Sequence, residues 1–102
     1  MAFRVRFSGP ILRSLGSISD YISADSPQNA DEVLAAILDL IESLEIMPGR
    51  FRRVGKSSQN GSPIHMATTH SFNIYYRIDS ADETVTIVLL QRGARRKPRH
   101  FD

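Results

Sequence analysis

Residues 72–101 read FNIYYRIDSADETVTIVLLQRGARRKPRHF: two strand-forming runs joined by a short polar turn, then a dense basic cluster. Successive side chains of a strand point to opposite faces. Phe72, Ile74, Tyr76 and Ile78 therefore fall on one side, and Asn73, Tyr75 and Arg77 on the other. Asp79, Ser80, Ala81, Asp82 and Glu83 combine turn chemistry with poor strand propensity, so Thr84 to Leu90 is the second strand of a hairpin. Its Val85, Ile87 and Leu89 are expected on the core face. Val88 and Leu90 are also apolar, which predicts a strand covered on both faces and central in its sheet. Gly93 ends the pattern amid Arg92, Arg95, Arg96, Lys97 and Arg99, a density of charge beyond what solvating one strand end requires.

Outward from this hairpin, Ala2 to Phe7 alternates Phe3, Val5 and Phe7 with Arg4 and Arg6, a short strand with one buried face. The two arginines suit an edge, where charge blunts strand-to-strand aggregation. Ser8 can cap a following helix, with Pro10 in its first turn. Ile11, Leu12, Leu15, Ile18, Tyr21 and Ile22 recur at helical spacing. A second start signal stands at Ser26-Pro27, ahead of a stronger stripe of Ala30, Val33, Leu34, Ile37, Leu38, Ile41 and Leu44 that Pro48-Gly49 stops. Two helices so close in sequence are expected to lie antiparallel. Arg50 to Gly55 then reads as a short basic strand, residues 56–62 as a polar loop around the turn dipeptide Asn60-Gly61, and Pro63 to Thr69 as a further strand. Written as an element order this is β-α-α-β-β-β, an α+β domain with a helical hairpin packed on a mainly antiparallel sheet.

A chain of 102 residues with 41% hydrophobic content is expected to form one domain over residues 1–102, with a basic tail at 93–102. No apolar run approaches the roughly 20 residues that span a bilayer, and MAFRVRFSGP lacks a signal-peptide core. A cytoplasmic location and no membrane partner are therefore expected. With no cysteine, disulfides and thiolate metal sites are excluded. The net charge of +2 conceals an asymmetry. Residues 1–49 carry three arginines against seven carboxylates, a net −4, and residues 50–102 carry ten Lys or Arg against four carboxylates, a net +6. The basic, sheet-rich half is suited to an acidic partner.

No catalytic constellation emerges from the residues themselves. His65, His70 and His100 lack the spacing of a zinc site, and His65 and His70 are expected to be structural or solvated. Gly55, Lys56 and Gly61 form no phosphate-binding loop. No metal and no cofactor are expected. Arg50, Arg52, Arg53 and Lys56 suit a solvated strand and half of a binding surface equally. Arg77, mid-strand directly after Tyr75 and Tyr76, is read as a structural partner of a ring or a carboxylate.

The opening strand, the helix ending near Tyr21-Ile22, the second helix running into Leu44 and Pro48-Gly49-Arg50, IYYRID at 74–79 and VLLQRGARR at 88–96 follow one another in a distinctive order. In this the chain resembles the ParE branch of the ParE/RelE superfamily, the toxic half of bacterial type II toxin–antitoxin pairs. The YRID core at 76–79, followed by a strand and the ending Arg92-Gly93-Ala94-Arg95, is the most specific match. The resemblance implies a toxin neutralised by a cognate, ParD-like antitoxin and linked to plasmid stabilisation, with one of two activities. ParE-like members poison DNA gyrase. RelE-like members cut messenger RNA on the ribosome. Position by position, the ribonuclease set matches poorly: its strand arginine falls on Asn73, its lysines near Ile64 and Met66, and its terminal tyrosine on Phe101, while a basic residue remains at Arg95.

Cleavage by a 2′-hydroxyl needs a base, an acid and cations for the developing charge. Arg77, Arg95 and His100 are the residues available for that alternative, and they leave the set incomplete. The favoured expectation is therefore a gyrase inhibitor without catalysis, touching nucleic acid only indirectly. Arg92, Arg95, Arg96, Lys97, Arg99 and His100 are its target-contact element. For the antitoxin, a two-helix layer is expected to leave Leu12, Leu15, Val33, Ile37 and Ile41 partly open as an apolar groove, with Arg52 and Arg53 receiving an acidic tail.

Overall fold

The structure is a computed structural model that describes residues 2–11, 20, 22–24, 28–58 and 60–92. Five strands form one sheet: β1 (Arg4–Phe7), β2 (Arg52–Lys56), β3 (Pro63–Thr69), β4 (Phe72–Asp79) and β5 (Thr84–Arg92), in the spatial order β1-β5-β4-β3-β2. The β2–β3, β3–β4 and β4–β5 pairs are antiparallel and β1 lies parallel to β5. Four strands follow the helical part among the described residues, matching the four runs read as strands at 50–55, 63–69, 72–78 and 84–90, so the order written as β-α-α-β-β-β leaves one of them out. Residues 9–11, 20 and 22–24 are helical, and the Ile11 N–H reaches the Ser8 hydroxyl at 3.5 Å, as a cap would. Residues 12–19, most of the first expected helix, lie outside the described residues. The second helix, α1 (Ala30–Ser43), begins behind Asn29, three residues later than Ser26-Pro27 implies.

β4 is the middle strand, and β5 beside it is interior, paired with β1 on one side and β4 on the other, as its apolar run predicts. The α1 side of β4 carries Phe72, Ile74, Tyr76 and Ile78, packed with Ile22, Val33, Ile37, Ile41 and Leu44 in the main core. Each fully buried side chain of this kind contributes about 1.5–3 kcal/mol. Tyr75 goes to the opposite face with Ile64, as the alternation requires.

On β5 the alternation breaks. Tyr76 pairs with Ile87 but Tyr75 pairs with Leu89, leaving Val88 as an extra, bulged residue. One inserted residue exchanges the faces of everything after it. Val85 and Ile87 therefore reach the main core, whereas Leu89 joins Tyr75 and Leu90 takes the core position. Leu89 was expected in the core, and the bulge is why it is not there.

The connection from α1 to β2 is pinned from two sides. Helix ends leave carbonyls without intrahelical partners. Arg50 supplies donors to them: Nη1 bonds the carbonyls of Ile46, Met47 and Ser43 at 2.6, 3.2 and 3.3 Å, and Nη2 bonds the Ser43 hydroxyl at 2.7 Å. The guanidinium lies 4.5 Å from the centre of the Phe51 ring and adds favourable charge at the helix C-terminus. Beneath, the Tyr76 hydroxyl donates to the Pro48 carbonyl at 2.5 Å. The ring of His65 stacks on Tyr76, 5.8 Å between centroids, and its Nδ1 lies 2.7 Å from the Phe51 carbonyl. A carbonyl only accepts, so Nδ1 carries the proton. His65 is structural, as expected, and His70, in the left-handed region at φ 52°, turns the β3–β4 hairpin.

The β2–β3 loop is fastened to the end of β4. Asp79 accepts from Ser62 Oγ at 2.6 Å and Asn60 Nδ2 at 3.3 Å, and pairs with Arg77 Nε at 2.9 Å. Burial pushes its carboxyl up, but the bonds from Ser62 and Arg77, the Arg77 charge and the Asn60 bond outweigh that and hold it below 3.8.

Two predictions follow from these fastenings. Burial raises the Tyr76 phenol to about 12, against a smaller downward pull from Arg50. Because the folded value lies above the unfolded one, this stabilisation is intact below pH 10 and is lost as pH rises towards 12. Tyr76→Phe is expected to cost about 1 kcal/mol at pH 7, and its deficit relative to wild type should shrink between pH 10 and 12 in urea titrations. Asp79→Asn is expected to cost about 1–2 kcal/mol at pH 7. The folded value there is depressed, so that difference should close as the pH falls below 3.8. A deficit unchanged across either range would contradict the assignment.

Candidate functional site

Helix α1 covers one face of the sheet, and strand register defines the other. From β1, Arg4 and Arg6 stand opposite Thr84 and Thr86 of β5. β4 contributes Asn73, Tyr75, Arg77 and Asp79. Ile64, Met66 and Thr68 of β3 stand opposite Arg77, Tyr75 and Asn73, and Arg52 of β2 opposite Met66. The middle of this face is apolar: Ile64 and Tyr75 are 0% and 2% exposed, with Val54, Met66, Val88 and Leu89 packed around them. Its margins are cationic, because Arg4, Arg6 and Arg52 are exposed.

Arg77 does not stand free among these cations. Its Nε is held by Asp79 at 2.9 Å and its Nη2 lies 3.5 Å from the Thr86 hydroxyl, the structural pairing expected for it. The Asn73 amide oxygen accepts from the Thr68 hydroxyl at 2.9 Å. Ile64 and Met66 carry no ionisable group. Gln91, opposite Asn73, holds the one buried side-chain oxygen among the described residues with no hydrogen-bond partner.

The other expected site residues are placed as follows. Val33, Ile37 and Ile41 are buried in the main core, so they do not line an open groove. Packing against Ile22 and the sheet satisfies the stripe that was read as surplus. Leu12 and Leu15 lie outside the described residues. Arg52 and Arg53 are exposed on β2, an edge strand, and Arg53 Nε bonds the Gly55 carbonyl at 3.3 Å. The Arg50 guanidinium is engaged by the helix end. Arg92 closes β5 opposite Phe72, and Arg95, Arg96, Lys97, Arg99, His100 and Phe101 lie outside the described residues. The basic segment is thus launched from an interior strand of the sheet. Among the described residues, no three His, Cys, Asp or Glu side chains are grouped to hold a metal ion, and no helix is long and apolar enough to cross a membrane.

One feature escapes the sequence reading. A groove of about 530 Å³ opens where the α1–β2 connection meets the ends of the sheet, lined by Phe3, Met47, Pro48, Gly49, Arg50, Pro63, His65, Ile78 and Ser80. Beside it Ile46 and Met47 are 64% and 71% exposed. The sequence signal is there in retrospect. These two apolar residues continue past Leu44, where the helical stripe ends, and have no core to enter.

Over residues 5–97 the chain matches the family model of the ParE toxin of the type II toxin–antitoxin system, parDE. No curated protein matches it in sequence. Among solved structures, the archaeal RelE–RelB complex from Pyrococcus horikoshii OT3 is similar at a TM-score of 0.63 and 17% identity, covering 94% of this chain and 100% of that one. The toxin–antitoxin complex RelBE2 from Mycobacterium tuberculosis is similar at 0.60 and 20% identity, covering 90% and 99%. At such identities the likeness speaks to the fold. Helix on antiparallel sheet, element order and a family match across nearly the whole chain agree: this protein belongs to the ParE toxin family of type II toxin–antitoxin systems.

Proposed function

We propose that this toxin acts by binding DNA gyrase and trapping it on cleaved DNA, that its basic C-terminal segment makes the contact, and that a cognate antitoxin neutralises it. The observation that carries the reading is the state of the sheet face opposite α1. Transesterification of RNA requires a proton acceptor and a proton donor beside the scissile phosphate, with free cations to receive its charge. On this face the candidate arginine, Arg77, is spent on Asp79, and that carboxylate is itself held by Ser62 and Asn60. The positions that would carry further catalytic groups are Asn73, Ile64 and Met66. The described imidazoles are elsewhere: His65 is engaged with Phe51 and Tyr76, and His70 occupies a turn.

The charge layout supports the same reading. Arg92 ends β5 and Arg95, Arg96, Lys97, Arg99 and His100 come after it in sequence, a density of charge that favours electrostatic capture of an acidic surface or of DNA already held by an enzyme. The antitoxin reading draws on the neighbours, both solved as toxin–antitoxin complexes.

Expression of the chain alone is expected to arrest growth with filamentation and induced DNA damage, and co-expression of the antitoxin from the adjoining reading frame to relieve it. Removing residues 95–102 takes away charge and little apolar area. The truncated chain is expected to lose toxicity while binding antitoxin within about tenfold of the full chain, about 1.4 kcal/mol. Loss of full-length messages within minutes of induction, without DNA damage, would favour the ribonuclease. Toxicity unchanged by truncation would shift the contact to Arg52 and Arg53.

A further inference from the structure

We propose that the groove at the α1–β2 connection is the seat of an acidic, apolar-tipped segment of the antitoxin, anchored over Met47 and held by Arg53 and Lys56. The proposal rests on the antitoxin reading above and gives it a place on this chain.

Three observations converge there. Met47 has φ 49°, a left-handed conformation that costs energy for any residue with a Cβ. A glycine would occupy it freely, yet the position holds a long apolar side chain that is 71% exposed. It contributes little to this fold, and burial against a partner gives it a role. The space beside it is shaped for an apolar group: Phe3, Pro48, Pro63 and Ile78 form its walls, and none of the described residues lining it is a carboxylate.

Charge sets the occupant's chemistry. Arg53 and Lys56 lie directly across the strand pair from two lining residues, His65 and Pro63. Residues so paired share a face with Cβ atoms about 5 Å apart. Both cations are exposed on a sheet edge. An apolar slot bordered by cations favours a segment that alternates aliphatic and acidic side chains. A second copy of this chain fits less well: Asp31, Glu32, Asp39 and Glu42 ride on a regular helix, and Asp79, Asp82 and Glu83 lie in or beside the tight β4–β5 turn, rather than on a segment free to enter the slot.

The test uses the full-length toxin, the purified product of the adjoining reading frame and isothermal titration. Met47→Gly is expected to raise the Tm by about 2–4 °C, as relief of backbone strain would, and to weaken antitoxin binding about tenfold or more. The double variant Arg53→Glu, Lys56→Glu is expected to bind about tenfold more weakly at low salt, with the gap narrowing in 0.5 M NaCl, where the Debye length falls to a few Å. Leu38→Ala, at an exposed position on α1, should bind as wild type does. Affinities of both groove variants within about twofold of wild type would overturn the proposal. So would a free toxin that dimerises through Met47 while its antitoxin affinity is insensitive to that residue, which would assign the groove to a second copy. If the wild-type chain does not bind the product at all, the partner reading fails, and the site with it.

Discussion

The hydroxyl of Tyr76, at the centre of the middle strand, donates to the carbonyl of Pro48 and so ties the exit of α1 to the heart of the sheet. Much of the architecture depends on that bond. It holds the turn between α1 and β2 against the sheet, with Met47 exposed at the rim of a groove. Arg50 works on the same turn from outside, satisfying carbonyls that the helix end leaves open. His65 and Phe51 close the connection from the sheet side. A phenol that must stay protonated to hold this point makes the fold sensitive to alkali.

Much of the fold is legible in the sequence because its signals are local. The period-2 pattern of residues 72–78 places Phe72, Ile74, Tyr76 and Ile78 against the helix and Tyr75 away from it, and the structure agrees. The stripe of Val33, Ile37 and Ile41 identifies α1. What the sequence hides is the bulge at Val88. Two adjacent leucines read alike, and only pairing with Tyr75 and Ile74 decides that Leu89 faces away from α1 and Leu90 towards it. The apolar run of β5 does announce an interior strand, but it cannot reveal that β1 and β4 are the neighbours on its two sides.

The site was legible in proportion to how local its chemistry is. Arg77 announces a structural partner by sitting mid-strand, and Asp79, two residues on along the same face, is that partner. The basic cluster after Gly93 is evident from composition alone. The groove is not, because Phe3, Met47, Pro63 and Ile78 come from four separate segments that only the completed fold brings together. Counting apolar residues also misled. Val33, Ile37 and Ile41 were more than a thin layer was expected to bury, yet the sheet and Ile22 absorb them all.

On the described sheet face Arg77, Asp79, Asn73 and Thr68 are held in structural bonds, and the action proposed for this toxin is one of binding. The most direct measurement incubates the purified protein with DNA gyrase, ATP and supercoiled plasmid, and in parallel with ribosomes programmed with messenger RNA. Linear plasmid, released only after protein denaturation and absent when the antitoxin is added first, is the predicted result, with the message intact. Site-specific cleavage of the message, with gyrase turning over undisturbed, would contradict it.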